Sequence, residues 1–297
     1  MARDKIYLEE EFPSPFMQFW LEYKKQSIVN VASVGFLLLV VIAIFSHILA
    51  PYSPVESHID YLLLPPAWDD NGNVSYLLGT DKLGRDILSR LLHGTSLTFG
   101  LSFVVVVISL VVGVVIGSFS ALTKGMKSSF LNHVLDVVLS IPSLLLAIII
   151  VAILGPGIEN TLWAIVMVLI PQFVHVTRNA IKEEYKKDYV LASKLDGANN
   201  FRILTYSIFP NIMEKIVTQA TFAQSAAIID IAALGFLGLG APIPMPEWGA
   251  MLSDGIDLFY IAPWTIYFPG MAIFLAVLIT NLVGEGVRHA IKEVKEK

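Results

Sequence analysis

Cysteine is absent from the 297 residues, which removes disulfides, thiolate metal sites and cysteine nucleophiles from consideration. Its absence says nothing about redox compartment. Charge is scarce as well, since 15% of residues are Asp, Glu, Lys or Arg against about a quarter in an ordinary soluble domain. A net charge of −5 argues against nucleic acid as a partner, because such binders carry a basic patch. What is abundant is apolar: 55% of residues are hydrophobic and the mean hydropathy is +0.69. The chain reads as an integral membrane protein.

Uncharged apolar stretches run over 28–50, 95–123, 137–158, 160–178, 216–240 and 264–284. About 20 residues cross a bilayer as a helix, so six transmembrane helices are expected. The third begins earlier, near Asn132, where Leu131, Val134, Leu135 and Val138 continue its apolar face. Of the 20 Lys and Arg residues, all but Lys82, Arg85 and Arg90 fall on one side of this arrangement. The excess of positive charge marks the cytoplasmic side, which then holds both termini. The resulting plan is a cytoplasmic arm (1–27), a first span (28–50) and an outer loop (51–94). A five-span core follows (95–288) with a cytoplasmic loop at 182–210, and then a tail (289–297). Pro51 after the first span disfavours a leader-peptide cleavage site, so that span is expected to stay as an anchor.

Two outer segments stand out. In 83–92, Leu83, Ile87, Leu88, Leu91 and Leu92 share one helical face, and Lys82, Arg85, Asp86, Ser89 and Arg90 the other. Such a helix lies on the membrane surface or packs on the protein's own outer face. The stretch Gly79–Asp86 has the glycine spacing of a phosphate-binding loop but places Arg85 and Asp86 where that loop needs Lys and Ser or Thr, so nucleotide binding is not expected. The second segment, Leu237–Gly249, has alternating prolines that stiffen the backbone after glycines that let a helix end. It suits a rigid lip at an outer mouth, or a loop shaped only for packing.

On the other side, Ile181, Tyr185, Tyr189, Ala192 and Leu195 recur at helical spacing among charges, predicting one amphipathic helix over 181–197. Gly197 fits the left-handed position that ends a helix, and Asn199 or Asn200 can cap a second short helix carrying Phe201, Ile203 and Leu204. The product is a projecting knob, with small residues at Ala192 and Ala198 and aromatic anchors at Tyr185, Tyr189 and Phe201 for a partner.

These residues carry a resemblance. Leu191-Ala192-Ser193, Gly197, Ser207 and Phe209-Pro210 occupy the places of the cytoplasmic loop motif of ABC importer permeases, although Leu191 replaces its glutamate, Ser193 an alanine, Ser207 an isoleucine and Phe209 a leucine. Leu78–Arg90 and Phe236–Gly240 with Trp248–Leu252 look like signatures of the C-type permease of dipeptide, oligopeptide and nickel systems. Ser140–Ala147, Asp230–Leu237 and Pro263-Trp264-Thr265 narrow it further. The chain is similar to that family essentially end to end. The resemblance implies an all-α type I ABC importer permease in the bacterial inner membrane, half of a heterodimer with a second permease. Two cytoplasmic ATPases and a periplasmic solute-binding protein complete the implied assembly, with ATP and Mg bound by the ATPases and no cofactor in this chain. Peptides are the implied cargo, with polyamines such as putrescine as an alternative.

The expected ATPase-coupling residues are Tyr185, Tyr189, Leu191, Ala192, Ser193, Asp196, Gly197, Ala198, Phe201 and Pro210. Candidates for the translocation path or gate are Asp230, Pro142, Gly238 and Gly240. Asp230 is an acid near the middle of a span, suited to the path or to a structural bond at the permease interface. Asp136 lies near the cytoplasmic face and can snorkel to water. Candidates for contact with a periplasmic partner are Asp81, Arg85, Asp86, Glu247 and Trp248. Pro142, Pro171 and Pro269 are expected to bend or break their spans. Gly113 and Gly117 form a small-residue motif suited to close helix packing. An intramembrane hydrolase is the rival reading, but no span shows a metalloprotease motif or two acids at one depth, and His47 and His175 stand alone.

Overall fold

A computed structural model describes residues 14–123 and 125–296. Arg3, Lys5, Lys124 and Lys297, which enter the charge-asymmetry argument, lie outside the described residues. Ten helices form the architecture of this described part: α1 Pro15–Lys24, α2 Ser27–Leu49, α3 Ile87–Leu122, α4 Met126–Leu139, α5 Ser143–Leu154, α6 Ile158–Glu184, α7 Asp188–Leu195, α8 Asn200–Phe236, α9 Trp248–Gly255 and α10 Trp264–Glu296. Five of them (α2, α3, α6, α8 and α10) are long and apolar enough to cross a membrane. The pair α4–α5, bent by 92°, makes a sixth if it crosses as one broken span rather than as a re-entrant loop.

That bend follows from Pro142, which lies in extended backbone (φ −54°, ψ 132°) between the two helices. Proline has no amide to donate and pushes its predecessor out of helical geometry, so the helix stops and restarts. The expected break is therefore found at Pro142. At Pro171 and Pro269 it is not, because α6 and α10 continue through both. Neighbouring helices at membrane depth tolerate a missing helical bond.

The most extensive helix contact is that of α3 with α6. A β-carbon placed on Gly113 would stand 2.4 Å from Phe173 Cβ, and one on Gly117 would stand 2.9 Å from Thr177 Cβ and from the Val174 carbonyl. The Gly113–Gly117 spacing thus brings the two backbones together as the small-residue motif predicts. Val105, Val106, Ile165, Leu169 and Phe173 fill the seam, and α8 closes over it with Ala227, Ile231 and Leu234. The first span, α2, instead leaves Ile28, Val31, Val34 and Leu37 exposed, as suits a face turned to lipid.

Three expectations are corrected here. The 83–92 stretch is not a helix lying on the membrane with its charges in water. It opens α3, joined to the spanning part through a π-helical turn at Ser96–Gly100, and its polar face is the buried one: Arg85, Asp86, Ser89 and Arg90 are all at most 2% exposed. Nor do residues 181–197 form one helix, because α6 ends at Glu184 and α7 starts at Asp188 after a turn. The long spans also overrun their apolar stretches, with α8 beginning at Asn200 rather than 216.

Replacing Gly117 with valine should force α3 from α6 and lower the thermal unfolding midpoint in detergent, at a cost of about 1–3 kcal/mol. Alanine at the same place should cost less, and equal midpoints for all three proteins would contradict the packing.

Candidate functional site

The knob is built from the end of α6, all of α7 and the start of α8. Gly197 ends α7 at φ +81°, with its own amide bonded to the Lys194 carbonyl (3.0 Å) and the Ala198 amide to the Ser193 carbonyl (3.1 Å). This paired closure needs a left-handed residue, which glycine supplies without strain. Asn199 then caps α8, its Oδ1 accepting from the Arg202 amide at 2.8 Å. A π-helical run at Ile203–Ile208 carries the chain into the long part of α8, where Pro210 sits in the first turn after the π segment.

Packing holds this corner to the spans. Val190, Ile203, Ile208 and Ile212 are buried against Ala180 and Ile181 of α6. Glu184, 6% exposed, accepts from Tyr189 Oη at 2.5 Å and Lys187 Nζ at 2.8 Å, and Asn211 Nδ2 donates to Tyr189 Oη at 3.2 Å. Burial and the Glu184 carboxylate push the Tyr189 pKa up, so the phenol remains a donor. From α10, Lys295 Nζ donates to the Asn211 carbonyl at 2.5 Å.

The expected coupling residues divide accordingly. Leu191, Ala192, Asp196, Gly197, Phe201 and Pro210 are exposed, and Ser193 and Ala198 partly so. Tyr185 is half-buried, with Lys194 Nζ 4.5 Å from its ring centre. Tyr189, 37% exposed, is tied down by Glu184. The exposed apolar surface is made by Leu191, Leu195, Phe201 and Tyr206. Leu195 and Tyr206 were not among the expected coupling residues, and neither were the pins Glu184 and Asn211.

At the opposite end of the bundle lies a buried ionic cluster. Asp81 Oδ1 accepts from the amides of Leu83 and Arg85 (2.9 and 3.0 Å), and its Oδ2 accepts from Arg85 Nε (2.7 Å) and faces Arg90 Nε (3.6 Å). Asp254 of α9 bridges Lys82 (3.0 Å) and Arg85 (3.5 Å). Arg90 Nη1 donates to the Pro54 and Pro244 carbonyls (3.1 and 3.4 Å), and Trp264 Nε1 to the Thr80 carbonyl (3.1 Å). The Gly79–Asp86 motif is therefore a structural buckle, not a phosphate cradle.

Glu247 ties the same end together. It caps α9 by accepting from the Gly249 and Ala250 amides, both at 2.8 Å, and it receives Thr98 Oγ1 of α3 at 2.9 Å. Burial holds its pKa above the usual carboxylate value, and those three donors offset the rise only in part. Trp248 Nε1 donates to the Leu91 carbonyl at 3.0 Å while its ring packs on Gly94. Asp81, Arg85, Asp86, Glu247 and Trp248 are all buried, at 9% exposure or less. As contacts for a docking protein they are corrected, because a buried side chain presents nothing to a partner in this conformation. They hold up the proline segment, whose Pro242, Ile243, Pro244 and Met245 are exposed beside a cleft of about 320 Å³ floored by Arg85 and Arg90.

The path candidates are not brought together. Pro142 is at the α4–α5 bend, and Gly238 (φ +74°) and Gly240 close the end of α8. Asp230 is 5% exposed on α8, with Oδ2 lacking a hydrogen-bond partner among the described residues. A separate apolar cavity of about 430 Å³ lies between α2, α3, α8 and α10, with Gln224 its buried polar group.

With this geometry in place, the similarities are specific. Residues 113–292 match the family described as the inner membrane component of binding-protein-dependent transport systems, and residues 14–66 match the N-terminal transmembrane domain of oligopeptide transport permease C. The chain belongs to this permease family. It is 46% identical over 291 residues to the peptide transport system permease protein SapC of Escherichia coli O6:H1, covering 98% of each chain. It is 44% identical to the di/tripeptide permease protein DppC of Pseudomonas aeruginosa, covering 94% of this chain and 92% of that one. The dipeptide permease protein DppC of Escherichia coli K12 is also 44% identical, over 94% and 93%. Among solved structures, an inward-facing MetNI methionine ABC transporter chain aligns with a TM-score of 0.58 at 18% identity, covering 69% of this chain and 97% of that one. The shared fold is that of a type I importer permease, and the protein is a multi-pass inner membrane transport permease.

Two outcomes are expected. Glu247→Ala leaves two backbone amides and the Thr98 hydroxyl unpaired in a buried place, so it should cost at least about 2 kcal/mol, read as a lower unfolding midpoint in detergent. Gly197→Val strains the left-handed corner and should lower transport per ATP hydrolysed in the reconstituted complex while assembly persists. Unchanged coupling would remove the knob from the mechanism.

Proposed function

We propose that this chain is one half of the translocation pathway of an ATP-driven peptide importer, and that its 182–210 knob receives the ATPase stroke. The observation that carries the reading is the exposed apolar face of Leu191, Leu195, Phe201 and Tyr206, mounted on a corner pinned rigidly to α6 and α8. An apolar aromatic patch on a stiff support is a docking surface for another protein. In this reading two ATPase subunits bind ATP and Mg on the cytoplasmic side, and their closure pushes the knob. A second permease supplies the other half of the path. A periplasmic binding protein delivers the cargo to the opposite end, where the proline segment and the cleft beside it face outward. Both termini are cytoplasmic.

Peptides as cargo rest on the names of the SapC and DppC relatives, and high identity over nearly the full chain supports carrying that substrate class across. Mechanistically, α8 is the transmitting element: it runs unbroken from Asn200 in the knob to Phe236 beside α9. A push on the knob therefore shifts the α8–α9 junction without an intervening hinge loop. The peptide path would open and close by movement of this helix against the α3–α6 pair.

Affinity purification of the tagged protein from its host membranes should recover a second permease and two ATPases. Phe201→Asp should release the ATPases while keeping the permease pair, and retention of both ATPases would count against the knob as their seat. A cysteine at exposed Leu83 should react with an impermeant maleimide from the periplasmic side and one at Lys186 only after the cytoplasmic face is opened. The reverse pattern would invert the topology.

A further inference from the structure

A cavity of about 660 Å³ opens between the end of α3, the first turn of α4, the last turns of α6 and the knob. Among the described residues four cationic side chains line it (Arg178, Lys182, Lys186 and Lys194), and no carboxylate does. Among the described residues none of the four pairs with an acid, whereas the neighbouring Lys187 and Lys215 are held by Glu184 and Glu183. The cations therefore outnumber the acids around a concave site: Asp136 acts on Arg178 and Glu183 on Lys186 only from outside the lining, and neither forms an ion pair with them among the described residues.

Arg178 makes the site more than a charged surface. It is 2% exposed, and its Nη2 is committed to the Ser128 carbonyl (3.1 Å) and hydroxyl (2.7 Å), while its buried Nε has no partner. A buried guanidinium donor left unpaired costs free energy that a ligand acceptor would recover. Ser128 belongs to the first turn of α4, which starts at Gly125 without a side-chain cap, so the positive end of a 14-residue helix adds to the same field. Ala121 and Leu122, the last residues of the spanning helix α3, form an apolar wall. The site therefore sits where the hydrocarbon region ends.

We infer that this cavity binds a phosphate group, carried either by an anionic membrane lipid or by a free phosphate compound. A tetrahedral dianion or diester fits the donor set: guanidinium, ammonium groups, a serine hydroxyl and a helix N-terminus are the groups that recognise phosphate. Basic pockets between membrane helices at a cytoplasmic boundary take phospholipid headgroups on the same grounds. Because Lys194 and Asn200 belong to the knob while Ser128 and Ser129 belong to α4, an occupant would cross-link the two. Occupancy would then stiffen the knob against the inner end of the bundle. The binding inference stands apart from the coupling reading, while this consequence rests on it.

The test is native mass spectrometry of the purified full complex taken from nanodiscs of phosphatidylcholine doped with phosphatidylglycerol, for the wild type and for K182Q/K186Q. These two lysines are at the cavity's edge and hold no close structural bond, the Lys182 contact to Ser128 Oγ being 3.4 Å. Arg178→Gln is a second variant, read only where its unfolding midpoint matches the wild type. Retention of phosphatidylglycerol by the wild type, reduced about tenfold in K182Q/K186Q and insensitive to added inorganic phosphate, is expected for a lipid source. Retention abolished by inorganic phosphate, with a phosphate-dependent rise in the wild-type midpoint that K182Q/K186Q lacks, assigns a free phosphate. Equal retention by both proteins with no phosphate effect overturns the inference, as does an absence of retained lipid and of any phosphate effect in the wild type. None of these readouts uses ATP hydrolysis, so their failure leaves the coupling reading intact.

Discussion

The close approach of α3 and α6 at Gly113 and Gly117 is the constraint on which the rest of the chain hangs. In lipid there is no hydrophobic force to press two helices together, so association depends on van der Waals contact, and small residues give the most of it. Once α3 and α6 are locked, their opposite ends become fixed points. At one end, Arg85 just before α3 and Arg90 and Thr98 within it position α9 and the proline segment through Asp254, Pro244 and Glu247. The inner end of α6 carries Ile181 and Glu184, which position the knob. A rigid pair thus separates two surfaces at opposite ends of the bundle and holds each in register.

Against that fixed pair, α8 is the element with contacts at both ends. It spans 37 residues, about 55 Å at the usual helical rise. At one end it packs Ile203, Ile208 and Ile212 under the knob; at the other, Gly235 lies so close to Glu247 that a β-carbon there would meet its Oε2. A long helix with tight joints at both ends transmits displacement better than a loop, because packed interfaces shift between discrete arrangements rather than deforming continuously. The π-helical segment at Ile203–Ile208 lies next to the knob, where such irregular turns mark places that can rearrange.

Much of this was legible in the residues, for reasons that can be named. Apolar run length located the spans, because the bilayer sets it. Gly197 and Asn199 announced a helix end and a helix start, because few side chains do either job, and Pro142 announced the break. What failed were inferences from amphipathic pattern alone. The 83–92 pattern correctly separated an apolar from a charged face, but pattern does not say which face meets water. Here the charges face each other inside the chain, and of the acids that balance them Asp81 is four residues from Arg85 while Asp254 is remote in sequence. The 181–197 pattern continued smoothly through Tyr185–Lys187, where the chain turns, so a break without glycine or proline left no trace. At Pro171 and Pro269 the helix continues instead of breaking, since a missing helical bond can be made good by tertiary neighbours.

Asp230 shows how far one conformation constrains a mechanism. It is enclosed by this chain at 5% exposure, while Ile229 beside it is 49% exposed. A bond across the permease interface and a contact with cargo both require its carboxylate to reach an outer face. Neither is reached by a side-chain rotation alone from a site so enclosed, so both roles require α8 to turn or slide against α3 and α6. In the proposed mechanism a push on the knob would produce the same motion, because Asp230 and Phe201 of the knob ride on one helix that continues through the π-helical turn. The oxygen that lacks a partner here supplies a reason for the motion to have a direction: an ionised acid at membrane depth is stabilised by any arrangement that brings it a donor or water. In the proposed mechanism, a shift of α8 that brought Asp230 Oδ2 a donor would tie the position of that helix to the pairing of a single carboxylate oxygen.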